Sequence, residues 1–181
     1  MTKIDLSDAY WSVSMHPHSQ KLMKFFWRGN LCQFLVLAFG LGPAPRTFTK
    51  LLKVPIAFLR RLNIRIIIYL DDMLIFGSSM EEALRARDSV ITLLQRLGLT
   101  INWEKSSLIP LPSCEFLGMI VSSLDMTISL PREKAIELIE ICRSTMKRKT
   151  ITLRELAKII GKLYATTPAI SIAPVQLRPS T

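Results

Sequence analysis

The chain has 181 residues, enough to bury a core as one domain or as a domain with a small appendage. Its 24 Lys and Arg against 14 Asp and Glu give a net charge of +10 and a pI near 9.9, which favours a polyanionic partner over a merely basic surface. Cys32, Cys114 and Cys142 are odd in number, widely spaced and without zinc spacing or a secretory leader; they exclude a disulfide framework and point to an intracellular protein.

KIDLSDAYWSVSM opens as a strand, with Ile4 and Leu6 flanking Asp5. LMKFFWRGNLCQFLVL then reads as a hairpin around Arg28, Gly29 and Asn30. Within and beyond it, LCQFLVLAFGLG is the most apolar stretch, but Gln33 and glycines interrupt it and PAP ends it, so no membrane span is expected. A helix follows, with Pro45 in its first turn, Phe48, Leu51, Leu52, Ile56 and Leu59 along one face, and a kink expected at Pro55.

IIIYLDDMLIFG places Asp71 and Asp72 between two β-prone runs and reads as an acidic hairpin. Ser79 and Glu82 form a capping-box pattern for a helix carrying Leu84, Val90, Ile91, Leu94 and Leu97 to a stop at Gly98. CEFLGMIVSSLDMTISL reads as one hairpin turning at SSLD. Pro131 opens a helix with Ala135, Leu138, Ile139, Cys142 and Met146 on one face, and Thr152 with Glu155 caps a shorter helix to about Tyr164. The tail TTPAISIAPVQLRPST has prolines and no period, so 166–181 reads as a linker or a cut end.

Strands and helices mix without strict alternation. The expected fold class is therefore α+β, an antiparallel sheet backed by two helices and followed by a small helical part. Asp5 and Asp71 would then emerge from adjacent strands on the open face.

Two adjacent acids at a hairpin tip are compatible with a simple turn. Neither residue, however, is the Gly or Asn that a tight two-residue hairpin prefers. Like charges about 4 Å apart repel by roughly 4 kcal/mol at an effective dielectric near 20, and a divalent metal between them would remove that cost. Turn and metal site are both open on these residues. If Asp5 meets Asp71, with Asp72 helping, the set suits two-metal phosphoryl transfer, in which carboxylates from separate strands hold cations roughly 3.5 to 4 Å apart.

KIDLSDAYWSV, FGLGPAPRTFTK, YLDD, LGLTINWEKS and FLGMIV occur in the order and spacing of motifs A to E of reverse transcriptases. Over about residues 3–164 the chain resembles that family, and through LGLTINWEKS and ITLRELAKIIGKL it is similar to the long-terminal-repeat and tyrosine-recombinase (DIRS-type) retrotransposon group. The resemblance implies a polymerase palm of RRM/ferredoxin-like form over 1–130, thumb-like or connection helices over 131–165, and a linker or truncated tail over 166–181. It implies an RNA-directed DNA polymerase that transfers nucleotides from dNTPs to a primer 3′-hydroxyl on an RNA or DNA template. Two Mg²⁺ ions, replaceable by Mn²⁺, would be its cofactors.

Position by position, the resemblance implies Asp5, Leu6, Asp71 and Asp72 around the metals, with Asp72 in support. It implies Asp8, Ala9, Tyr10, Phe39 and Gly40 around the nucleotide, Tyr10 as the steric gate against a ribose 2′-hydroxyl. Lys105 resembles a lysine that protonates pyrophosphate, though it also reads as a solvated loop lysine. Phe116, Leu117, Gly118 and Met119 resemble the primer grip, or an ordinary apolar hairpin. The KRK run at 147–149 would track backbone phosphates or be solvated. His16 and His18 lack a third ligand nearby and read as loop residues.

The family's fingers region precedes motif A and is missing here, and no RNase H motif follows. The chain is therefore expected to be a fragment, and its mean hydropathy of +0.30 fits apolar palm surface that another segment would cover. A non-catalytic nucleic-acid-binding remnant is the alternative. An RRM-type module, a sheet that stacks bases on exposed aromatics, is disfavoured because the chain lacks its signature of glycine and paired aromatics and places carboxylates where RNA phosphates would lie. An RNA-directed RNA polymerase is separated chiefly by Tyr10.

Overall fold

A computed structural model describes residues 1–148 and 150–169. Lys149 of the basic run and the tail from residue 170 lie outside the described residues. The chain divides into two compact units, Met1–Leu111 and Pro112–Thr181, each considered by itself.

In the first unit, β1 (Thr2–Ser7), β4 (Arg65–Tyr69), β5 (Asp72–Phe76) and the short β6 (Thr100–Ile101) form an antiparallel sheet in the order β4-β5-β1-β6. Residues alternate between the faces of a strand. Ile4, Leu6, Ile66, Met73 and Ile75 therefore point to one face, where they pack on helices α2 (Ala44–Arg61) and α3 (Met80–Arg96). Phe48, Leu52, Ile56 and Leu59 of α2 and Ala86, Val90 and Leu94 of α3 complete that core. This is the expected sheet backed by two helices.

Three residues of the expected α2 and α3 faces fall outside the core, Leu51, Leu97 and the half-buried Leu84. Leu51 is 45% exposed, one position off the α2 stripe, and Leu97 is 54% exposed because α3 has already ended at Arg96. Leu99, past the positive-φ Gly98, closes the core instead. Pro55 lies inside α2, which runs as one helix from Ala44 to Arg61. The Ser79 hydroxyl accepts from the Glu82 amide at 3.1 Å, but the Glu82 carboxylate accepts from Ser78 N–H at 2.7 Å, so the reciprocal half of the capping box is shifted by one residue. A short helix α1 (Pro17–Gln20) and the hairpin of β2 (Lys24–Trp27) and β3 (Asn30–Gln33) lie between β1 and α2. That hairpin turns on Arg28 and Gly29, both at positive φ, as a two-residue turn of this kind requires.

The second unit holds a meander, β7 (Ser113–Phe116), β8 (Met119–Ser122) and β9 (Thr127–Ser129), then α4 (Arg132–Met146) and α5 (Leu153–Tyr164). The single hairpin expected here is two. Besides the turn between Ser122 and Thr127, the chain reverses at Leu117 and Gly118, with φ of 50° and 73°. Residues 112–129 fall in the same compact unit as α4 and α5. Thr152 and Glu155 form a complete capping box at the start of α5.

Candidate active site

Because Ile4 and Leu6 face the core, Lys3 and Asp5 project from the opposite face of β1. Asp5 lies directly across from Asp72 in the β1–β5 register, and Tyr69 pairs with Asp72 on the other side, which closes the β4–β5 hairpin with a two-residue loop of Leu70 and Asp71. The two acids therefore do not share the tip: Asp71 is in the turn and Asp72 is the first residue of β5. Leu70, at φ 54°, occupies the first loop position, where a type II′ turn calls for Gly. Asp71 is tied back to β1 by its carbonyl, which accepts from Leu6 N–H at 3.2 Å.

Directly opposed like charges on neighbouring strands destabilise a sheet. Asp5 is only 8% exposed, and burial, then Asp72, then Asp71 push its carboxyl above the usual carboxylate range, while Lys105 and Lys3 pull it back. Lys3 Nζ lies 3.1 Å from Asp72 Oδ1. The fold thus converges three acids from a strand, a turn and the next strand, with two lysines in electrostatic reach.

Beyond its two-residue pairing with β6, the side of β1 away from β5 is clamped by residues 102–107. Asp5 N–H donates to Ser106 Oγ at 3.0 Å, and the Asp5 carbonyl accepts from Asn102 N–H at 2.9 Å. Ser106 Oγ donates in turn to the Asn102 carbonyl at 2.6 Å, and Asn102 Oδ1 accepts from Lys105 N–H at 3.2 Å. This clamp delivers Lys105 toward the acids.

Asp8, at φ 50°, turns the chain out of β1 into a 3₁₀ turn over Ala9–Ser12, with Asp8 exposed and Ala9 buried. The Tyr10 ring sits 5.0 Å from Phe39 and edge-on to Phe48 at 5.4 Å. Burial, Asp71 and Tyr69 push its hydroxyl upward, which places the phenol within the field of the acidic turn. Phe39 is 60% exposed beside Gly40, whose φ of 82° demands glycine. Tyr10, Phe39 and Gly40 are thus brought together next to the acids.

Phe116, Leu117, Gly118 and Met119 belong to the second unit. Leu117 and Gly118 are the turn itself, Phe116 is buried, and Lys134 Nζ donates to the Gly118 carbonyl at 3.1 Å. His16 Nδ1 accepts from His18 N–H at 3.2 Å as a cap of α1, in keeping with the loop reading.

Among the described residues, no group of three or more His, Cys, Asp or Glu side chains is arranged to enclose a metal. Mg²⁺ does not need such a cage, since it is commonly held by one or two carboxylates together with substrate phosphates and water. Two acids with hard oxygen donors, one destabilised by burial and like charge, fit that mode. Sequence reasoning missed Lys3, Asn102 and Ser106. Lys3 is two residues from Asp5 on the same strand face, a signal that strand alternation carries.

The family description "Reverse transcriptase (RNA-dependent DNA polymerase)" matches residues 1–121. The chain belongs to the reverse transcriptase family. It is 31% identical over 121 residues to a retrovirus-related Pol polyprotein from transposon 297 of Drosophila melanogaster, covering 67% of this chain and 11% of the relative. It is 28% identical over 139 residues to Protein P of duck hepatitis B virus, covering 75% of this chain and 17% of the relative, and 28% identical to the genome polyprotein of Petunia vein clearing virus over 65% of this chain and 5% of that protein. The chain spans under a fifth of each. A foamy viral protease-reverse transcriptase in complex with double-stranded DNA has the same fold, with a TM-score of 0.75 at 24% identity over 91% of this chain and 27% of that one. The same enzyme with an RNA/DNA hybrid superposes with a TM-score of 0.74 at 22% identity, covering 99% of this chain and 24% of that one.

Proposed function

We propose that the acidic junction of β1 and β5 carries out template-directed nucleotidyl transfer from dNTPs to a primer 3′-hydroxyl. The observation that carries this reading is the convergence of Asp5, Asp71 and Asp72, with the Asp5 carboxyl raised by burial and by its two neighbours.

In this reading Asp5 and Asp71 supply carboxylate oxygens for Mg²⁺ or Mn²⁺. Leu6 has no side-chain oxygen and contributes its carbonyl. When bound, paired divalent cations activate the attacking hydroxyl and stabilise the leaving pyrophosphate. The primer 3′ oxygen forms a bond to the α-phosphorus as the bond to the β-phosphate oxygen breaks. The hydroxyl proton leaves to solvent, and Lys105, clamped beside β1, gives a proton to the departing pyrophosphate. Asp8 and Ala9 line the triphosphate side. Tyr10, braced by Phe39 and Phe48, stands where a ribose 2′-hydroxyl would collide, and Phe39 with Gly40 contacts the incoming nucleotide. Phe116 to Met119 grip the primer end.

The basic chain suits a nucleic-acid partner, and the foamy viral enzymes of like fold were solved with double-stranded DNA and with an RNA/DNA hybrid. Within the family we assign the chain to the DIRS-type and long-terminal-repeat retrotransposon group, on LGLTINWEKS and ITLRELAKIIGKL, and to an intracellular setting on its cysteine usage.

Primer extension on an RNA template with Mg²⁺ or Mn²⁺ tests the reading. Extension by the chain that disappears in Asp71→Asn is the expected result. Primer-template binding without extension in either protein would overturn catalysis by this chain.

A further inference from the structure

Lys3 has no role in the assignments above, yet it is the basic side chain in contact with the acidic junction. It lies on the same face of β1 as Asp5, diagonal to Asp72 across the β1–β5 ladder, with Nζ 3.1 Å from Asp72 Oδ1. Both side chains are about three-quarters buried, at 23% and 24% exposure, so the pair is poorly screened by water. Asp72 Oδ1 is itself buried and accepts no hydrogen bond, so the ammonium is its compensating charge. The Lys3 backbone is fixed as well: its N–H donates to the Ser107 carbonyl at 3.2 Å and its carbonyl accepts from Ser107 N–H at 2.9 Å. A flexible surface lysine would have neither the burial nor this anchoring.

We propose that Lys3 is a positioning residue that neutralises Asp72 and withholds it from the cation, so that Asp5 and Asp71 alone act as carboxylate ligands. This rests on the metal-dependent reading above. It explains how three carboxylates coexist at one strand junction without three of them closing on a single ion. Lys3 also offsets charge at Asp5 and keeps the sheet paired where two aspartates oppose each other.

The test is a double-mutant cycle on Mn²⁺ binding to the full chain, read by electron paramagnetic resonance of free Mn²⁺ and requiring no turnover. If Lys3 sequesters Asp72, Asp72→Asn weakens Mn²⁺ binding less than about twofold beside Lys3 and about fivefold or more in the Lys3→Met background, the size of coupling expected for directly contacting residues. Lys3→Arg, which keeps the charge, should retain the small effect. Equal effects of Asp72→Asn in both backgrounds would overturn the proposal, since simple long-range charge acts alike in each. Asp5→Asn separates the two levels. Loss of Mn²⁺ binding in Asp5→Asn with equal Asp72→Asn effects rejects Lys3 alone, whereas no Asp5-dependent binding in any variant rejects the metal reading and the proposal with it. Far-ultraviolet circular dichroism on every variant assures that folded proteins are compared.

Discussion

The two units of the chain bury their apolar residues to very different extents. In Met1–Leu111, α2 and α3 each set a continuous stripe against the sheet, and Phe48, Leu52, Val90 and Leu94 are 0 to 1% exposed. In Pro112–Thr181, neither α4 nor α5 buries a single residue fully, and Ile136, Ile139, Leu156 and Ile160 stay 42 to 48% exposed. That unit is organised by polar contacts: the Thr152–Glu155 box, Arg148 to Glu155 at 3.1 Å, and Lys162 to Glu137 at 2.5 Å. The difference teaches where precision is kept. Asp5 and Asp72 stand on strands backed by an apolar core, which can hold opposed carboxylates against their repulsion, while the second unit has helix caps and exposed ion pairs that contribute little individually.

The largest expected effect comes from the core under the site. Phe48→Ala should cost about 3–5 kcal/mol in chemical denaturation, because it empties a fully buried site and removes the edge contact to Tyr10. Leu156→Ala in α5 should cost under about 1 kcal/mol. Comparable losses would erase the contrast between the units.

Next in size is the acidic turn. Leu70 holds a φ of 54°, so Leu70→Gly should be more stable than Leu70→Ala by about 1–2 kcal/mol in thermal unfolding, the reverse of the usual order in a strand. A smaller effect belongs to the second unit, where Thr152→Ala should lose about 1 kcal/mol with the N-cap. Hydrogen bonds from the Thr152 backbone and side chain and from Arg148 hold the Glu155 carboxyl down to about 2. A depressed carboxyl stabilises above its unfolded value, so this contribution should be complete at neutral pH, begin to fall near the ordinary carboxyl value of about 4.5, and vanish only around pH 2. Helicity of the wild-type chain and Thr152→Ala compared by circular dichroism through that window reads it directly.

Much of this was legible in the sequence where local chemistry and period agree. Arg28 and Gly29 mark their own turn, Ser79 and Gly98 bracket α3, and Thr152 with Glu155 announces α5. Reading failed where a residue adopts a conformation its type disfavours. Leu70 and Leu117 both sit at positive φ in two-residue turns, and leucine carries no turn signal. The first hid the placement of Asp71 in the loop and Asp72 in the strand, and the second hid the β7–β8 reversal. β6 is two residues long, too short for any period, and its clamp on β1 through Asn102 and Ser106 depends on contacts across about a hundred positions of chain. The motif order was readable, whereas the Lys3–Asp72 pairing required knowing which strands adjoin.

The central claim is that Asp5 is held buried among like charges at a cost that a divalent cation relieves. A carboxyl raised by folding contributes stability below its unfolded value and loses it as pH rises through the folded one, so without cation the wild-type chain should be penalised at neutral pH and Asp5→Asn should not. The most direct measurement is thermal unfolding of both proteins at neutral pH with and without millimolar Mn²⁺. Asp5→Asn should melt higher than the wild-type chain without cation, and Mn²⁺ should raise the wild-type midpoint while leaving Asp5→Asn unmoved. Equal Mn²⁺ shifts in both, or a lower midpoint for Asp5→Asn without cation, would contradict the account.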